Sequence, residues 1–317
     1  MRQLGPYVLL ERLGLSSNSE VYEAEHRESG ARVVIKRALP HAWEDPEQRA
    51  RFEREITLVM NQTHPALVRG VEVITGPSAD EGRPGDACLV MQRVKGQSLR
   101  ELLERHPEPL LSEAALAAAA LSLTEGLNVL HEAQAPCLVH GDLSAGNLLA
   151  REDGTTTLVD LGSAAPVGVV SGDGGTPRYS PPERQPGAPL STAGDVYSLG
   201  VLLWELAAGR RWPTESPRQL PNSSPLSGTE MGALISRCVA SDPTARPRDA
   251  AAIREIAAAC ATPNGGAAWR RWLTAALGQS AGRPEEVERE GRHAWIVLSA
   301  ALGLALWTAT WFIAQML

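Results

Sequence analysis

The chain changes texture once, near Val94, and that change constrains its fold more than any other feature. Before it lie short β-like runs at Tyr7–Leu13, Val21–His26, Ala31–Lys36, Leu67–Ile74 and Cys88–Val94, several rich in the branched residues that suit a pleated sheet. One helical stretch interrupts them, from Asp45-Pro46 to about Asn61. Asp as N-cap followed by Pro is a helix start signal: the carboxylate accepts unpaired backbone N–H groups, and Pro has none to leave unpaired. From Leu99 onward the spacing is mostly helical, including an Ala-rich stretch from Ser112 to about Ala133. The expected fold class is α+β, with a small β-rich lobe over about 1–94 and a larger helical lobe over about 95–262.

Composition narrows the function. A chain of 317 residues has ample length to bury a core. Its formal charge of −7 argues against nucleic acid as a partner, since neutralising phosphates needs a basic surface. The four cysteines, Cys88, Cys137, Cys238 and Cys260, include no CxxC pair, so neither a disulfide framework nor a zinc site is expected. The N-terminal MRQLGPYVLLERLG lacks the apolar run of a signal peptide, which predicts a first domain in a reducing cytosol. Among 30 basic residues only Lys36 and Lys95 are lysines, so each invites a reason.

The last 24 residues, Ala294–Leu317, carry no charge, and only Gln315 is strongly polar. About 20 apolar residues cross the hydrocarbon layer as a helix. Trp295, Trp311 and Phe312 sit where interfacial aromatic belts fall. Arg283, Arg289 and Arg292 precede the run and nothing basic follows it, so the positive-inside rule predicts a single-pass anchor in the cell membrane with the rest cytoplasmic. Ser299 and Gly303 have the small-xxx-small spacing that would let two spans pack as a homodimer. Residues 263–293 read as a juxtamembrane linker before the 294–317 span. It includes most of the breaker-rich ATPNGGAA (Ala261–Ala268) and ends in a charged stalk, Arg283–His293. Between these, Trp269, Trp272, Leu273 and Ala276 share one helical face. That face suits either a helix lying on the membrane surface or a last helix packed on the main domain.

Several residues carry chemistry. Gly14 to Val21 is a small polar loop between two strands, able to fold backbone N–H groups over phosphates. Lys36 ends an apolar strand, where burying an unpaired ammonium would be costly, so it needs an anion; Glu55 on the following helix is a candidate. Asp142 and Asn147 stand five apart in a loop between apolar runs, and Asp160-Leu161-Gly162 begins thirteen residues after Asn147. Asn147 and Asp160 offer hard oxygen ligands suited to Mg2+, leaving Asp142 free to accept a proton from an incoming hydroxyl.

In this order the residues resemble the protein kinase family, in its bacterial Ser/Thr form related to eukaryotic kinases, over about Tyr7 to Cys260. The matching segments are Gly14…Val21, Val33-Val34-Ile35-Lys36, Glu55, His140-Gly141-Asp142…Asn147, Asp160-Leu161-Gly162 and Pro181-Pro182-Glu183. Gly194-Asp195…Gly200 resembles the family's helix F, and Asp242-Pro243…Arg246-Pro247 resembles the element whose Arg pairs with Glu183. The resemblance implies a two-lobed kinase fold, ATP and Mg2+ as cofactors and a protein substrate. It implies that Lys36 pairs the ATP phosphates while held by Glu55, that Asp142 orients the substrate hydroxyl, and that Asn147 and Asp160 hold the metal. It places Gly14, Ser16 and Ser19 over the phosphates and Val21, Val34 and Leu149 against the adenine faces. Gln92 and Val94, after Met91, would meet the adenine edge, and Thr176 would brace the catalytic loop.

Departures from the family pattern carry expectations of their own. Ser16 and Ser19 replace the second and third loop glycines, which restricts the backbone and predicts weaker ATP binding. Ser144 replaces the usual Lys two residues after Asp142, removing a cation near the transferring phosphate and predicting slow transfer. Gly141 replaces the Arg that clasps a phosphorylated activation loop, which argues against switching by that contact. Leu161 for Phe is a conservative core change, and Val34 for Ala narrows the adenine slot. Pro213, Pro217, Pro221 and Pro225, every fourth residue, predict that the family's helix G is lost. The expected function is a membrane-tethered Ser/Thr protein kinase. A pseudokinase acting by nucleotide or partner binding is the second reading. A small-molecule phosphotransferase bearing His-Gly-Asp is the third, and it lacks counterparts of Glu183, Asp195 and Arg246.

Overall fold

Alternation along the early strands decides which side chains meet the cleft. In the computed structural model, which describes residues 3–76, 86–110, 112–132, 137–170, 175–185, 187–213 and 226–278, these strands form one six-stranded antiparallel sheet. They are β1 (Gln3–Leu4), β2 (Tyr7–Leu15), β3 (Ser19–His26), β4 (Arg32–Ala38), β5 (Gly70–Thr75) and β6 (Ala87–Gln92), in the order β1-β2-β3-β4-β6-β5. Val33 and Ile35 of β4 enter a small core with Leu4, Tyr7, Ala24, Cys88 and Val90. Successive strand residues point to opposite faces, so Val34 and Lys36 take the other side. The register pairs Lys36 with Val21 of β3 and Val34 with Met91 of β6, which puts all four on that side.

Two helices follow β4: a single turn, α1 (Pro40–Glu44), and α2 (Pro46–Met60). The Asp45 carboxylate accepts from the backbone N–H groups of Glu47 and Gln48, so the expected start signal operates. The expectation of one helical stretch missed α1, a turn too short to show periodicity.

The second lobe begins with β7 (Gln97–Ser98), α3 (Leu99–Arg105) and α4 (Glu113–His131), followed by β8 (Leu138–Val139), β9 (Leu148–Ala150), β10 (Thr156–Leu158) and β11 (Ala165–Pro166). Helices α5 (Thr192–Ala208), α6 (Glu230–Cys238), α7 (Ala250–Cys260) and α8 (Pro263–Gly278) complete it. The helical reading missed its short strands, which pair as β10-β9-β7 and β11-β8. At two or three residues each they carry no periodic signal. Along α5 every residue from Asp195 to Ala207 is buried, making it the axis of the core. Among the described residues, α4 alone is long and apolar enough to cross a membrane, and it lies within this core.

The structure chooses between the two readings of the Trp-bearing face. Trp269, Trp272, Leu273 and Ala276 of α8 are buried in the second lobe's core, with the Trp269 indole donating to Gly154 O at 2.9 Å and that of Trp272 to Glu108 O at 3.1 Å. The helix opens at Pro263, inside the stretch read as a linker, with Thr262 Oγ1 accepting from Gly265 N. A Cβ on Gly265 would stand 2.3 Å from Ala114 O, so this apparent breaker is a contact point with α4. The structural unit therefore runs past 262 and ends at Leu277. The 294–317 span, the charged stalk, Ser299, Gly303 and the prolines 217, 221 and 225 lie outside the described residues.

Candidate active site

Lys36 from β4 reaches across the cleft between the lobes. Its Nζ stands 2.7 Å from Glu55 Oε1 on α2 and 2.7 Å from Asp160 Oδ1 just past β10. Lys36 and Glu55 are buried, whereas Asp160 faces the open cleft. Burial alone would push the Lys36 ammonium to deprotonate, but the Asp160 and Glu55 charges outweigh it and raise its pKa. The Lys36 charge in turn holds the Asp160 carboxyl well below its ordinary range, while burial raises that of Glu55. Asp160 is the one described non-glycine residue with positive φ, 62°, a conformation that Asp tolerates better than most.

The loop from β8 to β9 supplies the next two groups. Asn147 Nδ2 donates to Asp142 O at 2.9 Å, which leaves Oδ1 as its remaining acceptor. Asp142 Oδ1 accepts from Thr176 N at 2.7 Å, so the bracing expected of Thr176 runs through its backbone. The loop is suspended from the core by Asp195 of α5. Its carboxylate accepts from His140 N at 2.7 Å and Gly141 N at 2.9 Å and meets His131 Nε2 at 3.1 Å. Burial would raise the Asp195 pKa, and these partners lower it overall.

A cleft of about 470 Å3 gathers most of the expected residues. Gly14, Val21, Val34, Lys36, Glu55, Met91, Gln92, Val94, Asn147, Leu149 and Asp160 all line it. Asp142 instead lines an adjoining cavity of about 280 Å3 with Thr176, Ser180, Pro181 and Arg184. Ser16 and Ser19 line neither cavity: Ser16 Oγ lies 3.0 Å from both Ser19 N and Ser19 Oγ, closing the loop on itself.

Sequence reasoning missed three positioning groups. Asp195 was placed in its helix without a role. Arg51, one turn before Glu55, donates through Nε to Gly162 O and through Nη2 to Ser163 Oγ, both at 2.7 Å. It fastens α2 to the loop after Asp160, and its i, i+4 spacing from Glu55 was the available signal. Gly141 has φ +76°, and a Cβ there would stand 3.0 Å from Leu190 Cδ2 and 3.1 Å from Ser163 O. Glycine takes this left-handed turn without strain, a reason for its presence that its place in the motif does not reveal.

A family model for the protein kinase domain matches residues 7–256. The chain belongs to the protein kinase family. This kinase is 30% identical over 282 residues to serine/threonine-protein kinase pkn2 of Myxococcus xanthus, covering 80% of the chain and 32% of that relative. It is 32% identical over 219 residues to serine/threonine-protein kinase PknA of Mycobacterium tuberculosis, covering 65% and 48%. It is 31% identical to the DNA damage-responsive serine/threonine-protein kinase RqkA of Deinococcus radiodurans, covering 65% and 30%. The chain spans about a third to a half of the length of these curated relatives. It carries a protein kinase domain similar to those of these bacterial Ser/Thr kinases. Within it, Arg246 and Glu183 form the ion pair that the resemblance implies, and Lys36 links Glu55 of its own lobe to Asp160 of the second.

Proposed function

We propose that the chain is a membrane-tethered Ser/Thr protein kinase that transfers the ATP γ-phosphate to protein hydroxyls. The observation that carries this reading is the placement of Lys36, between two carboxylates and on the same cleft as Asn147 and Asp160. Lys36 binds the nucleotide's phosphates, and Glu55 keeps its ammonium aimed at them. Asp142, at the neighbouring cavity, orients the acceptor hydroxyl and takes its proton. The backbone at Gln92 and Val94 meets the adenine edge, with Val21, Val34 and Leu149 on its faces.

The residues present fit Mg2+. Asn147 keeps one amide oxygen free and Asp160 supplies a carboxylate on the same cleft, both hard donors. Among the described residues no cluster of three His, Cys, Asp or Glu stands ready to hold a metal alone, which suits an ion that shares its shell with phosphates. When bound, the ion would neutralise phosphate charge.

Ser144, without the usual cation, supports slow transfer. Gly141 supports a site that needs no phosphate–Arg clasp, because Arg51 already ties α2 to the loop after Asp160. The second reading, a nucleotide-binding pseudokinase, draws support from the Ser16–Ser19 closure away from the cleft. The uncharged run at 294–317 supports the anchor.

Label transfer from radioactive ATP with Mg2+, by the full chain and by Asp142→Asn, separates the readings. We expect protein-bound label from the native chain and at least about 100-fold less from the variant. Equal labelling, or none from either, would refute the enzyme. Nucleotide-dependent thermal stabilisation without transfer would establish the pseudokinase. Deleting 294–317 should move the protein to the soluble fraction, and a full chain already soluble without detergent would refute the tether.

A further inference from the structure

A third cavity, of about 430 Å3, shares Gln92, Arg93 and Val94 with the nucleotide cleft as a common wall. Its lining is cationic: Arg69 before β5, Arg93 and Lys95 between β6 and β7, Arg151 after β9, and His64; no carboxylate among the described residues lines it. Arg93 is already paired with Glu23 at 3.0 Å, and His64 faces Glu125 at 3.7 Å. Arg69, Lys95 and Arg151 have no carboxylate at salt-bridge distance among the described residues. Arg151 Nη2 donates to Thr157 Oγ1 at 2.6 Å, yet its Nε is buried without a partner. The cluster is built by the fold. A Cβ on Gly96 would stand 2.5 Å from Ala150 O and would also touch Arg151, so glycine there lets the Lys95 segment lie against Arg151.

We propose that this cavity is a binding site for a phosphate-bearing, multiply charged anion. Three cations without a carboxylate partner line one cavity, two of them exposed, and in a chain of net charge −7 such a grouping is not a by-product of a basic surface. A single carboxylate would neutralise one of them. A phosphoryl group brings a charge of about −1.5 to −2 and three acceptor oxygens. The planar guanidinium of Arg69 can match phosphate oxygens in bidentate fashion, while Arg151, its Nη2 held by Thr157, and Lys95 each add a positive charge. Arg69 belongs to the first lobe and Arg151 to the second, so the anion bridges the lobes beside the segment that meets adenine.

Inorganic pyrophosphate, titrated calorimetrically into the full chain in detergent with the nucleotide cleft filled by a non-hydrolysable ATP analogue, tests the site. We expect saturable binding that weakens at least 10-fold in the Arg69→Ala/Lys95→Ala double variant and survives in Arg69→Lys/Lys95→Arg. Without pyrophosphate, the double variant should bind the analogue as the native chain does. Lys95→Glu alone, an exposed change, should also abolish pyrophosphate binding and serves if the double variant does not fold. A phosphoserine peptide beside its unphosphorylated form separates a protein-borne phosphate from a free one. Absence of saturable binding by both phosphate probes, or binding unaltered by these substitutions, overturns the proposal.

Discussion

Arg246 closes both terminal nitrogens on the two carboxylate oxygens of Glu183, at 2.6 and 2.8 Å. Its side chain is wholly buried and also donates to Ala240 O and Ala193 O, while its guanidinium lies 5.0 Å from the Tyr197 ring centre. Glu183→Ala leaves that cation without its counter-charge. We expect a loss of about 2–4 kcal/mol in urea denaturation, below the fully buried case because Glu183 is a third exposed. Arg246→Lys should not restore the loss, since an ammonium cannot reproduce the fork. An unchanged midpoint in Glu183→Ala would show that the pair contributes nothing net.

Acid should weaken the fold partly through Asp160. Its folded-state pKa is depressed below the ordinary 3.8 by the Lys36 charge. The stability from its charged form is therefore complete above that value and is lost as pH falls through the folded pKa. Denaturation midpoints of Asp160→Asn should fall less steeply below about pH 4 than those of the native chain. Parallel curves would remove Asp160 from the acid response.

The cysteines should divide by burial. Desolvation raises Cys88 to about 11 and Cys238 to about 12, and both are buried. Thiolate is the reactive form, so both stay inert near pH 8. Cys137 and Cys260 are partly exposed and should take iodoacetamide first in the native state, as peptide mass mapping would show. Modification of Cys238 at the same rate would contradict the packing around α6.

Helix α8 should behave as part of the kinase domain. Trp272→Ala removes an indole stacked 5.5 Å from Trp269 and donating to Glu108 O. A loss of about 3–5 kcal/mol, or about 10 °C in Tm, is expected in thermal unfolding. A chain ended at 262 should be less stable than one ended at 278. Equal stability would make α8 an appendage.

The legible part of this protein was its punctuation and its charge chemistry. Asp45-Pro46 announced α2 because capping acts within a few residues, and Lys36 announced a partner because burying a charge has a cost that only an anion offsets. What stayed hidden depended on distant chain segments. Asp195 could be placed in its helix, but only the fold brings the backbone of His140 and Gly141 to its carboxylate. Gly265 looked like a breaker because its neighbour Ala114 lies far away in sequence. The closure of Ser16 on Ser19 is a loop conformation that the substituted glycines did not specify. Lys95, without explanation in sequence, acquires one only beside Arg69 and Arg151.

The suspension of the Asp142-bearing loop from Asp195 bears on time as well as geometry. The two amides it receives are attached to a helix with no exposed turn, and amides so held exchange with solvent only when the surrounding core opens. The His140 and Gly141 protons should thus be among the slowest in the molecule to exchange. The segment carrying Asp142 should open on the schedule of the whole second lobe, not of a surface loop.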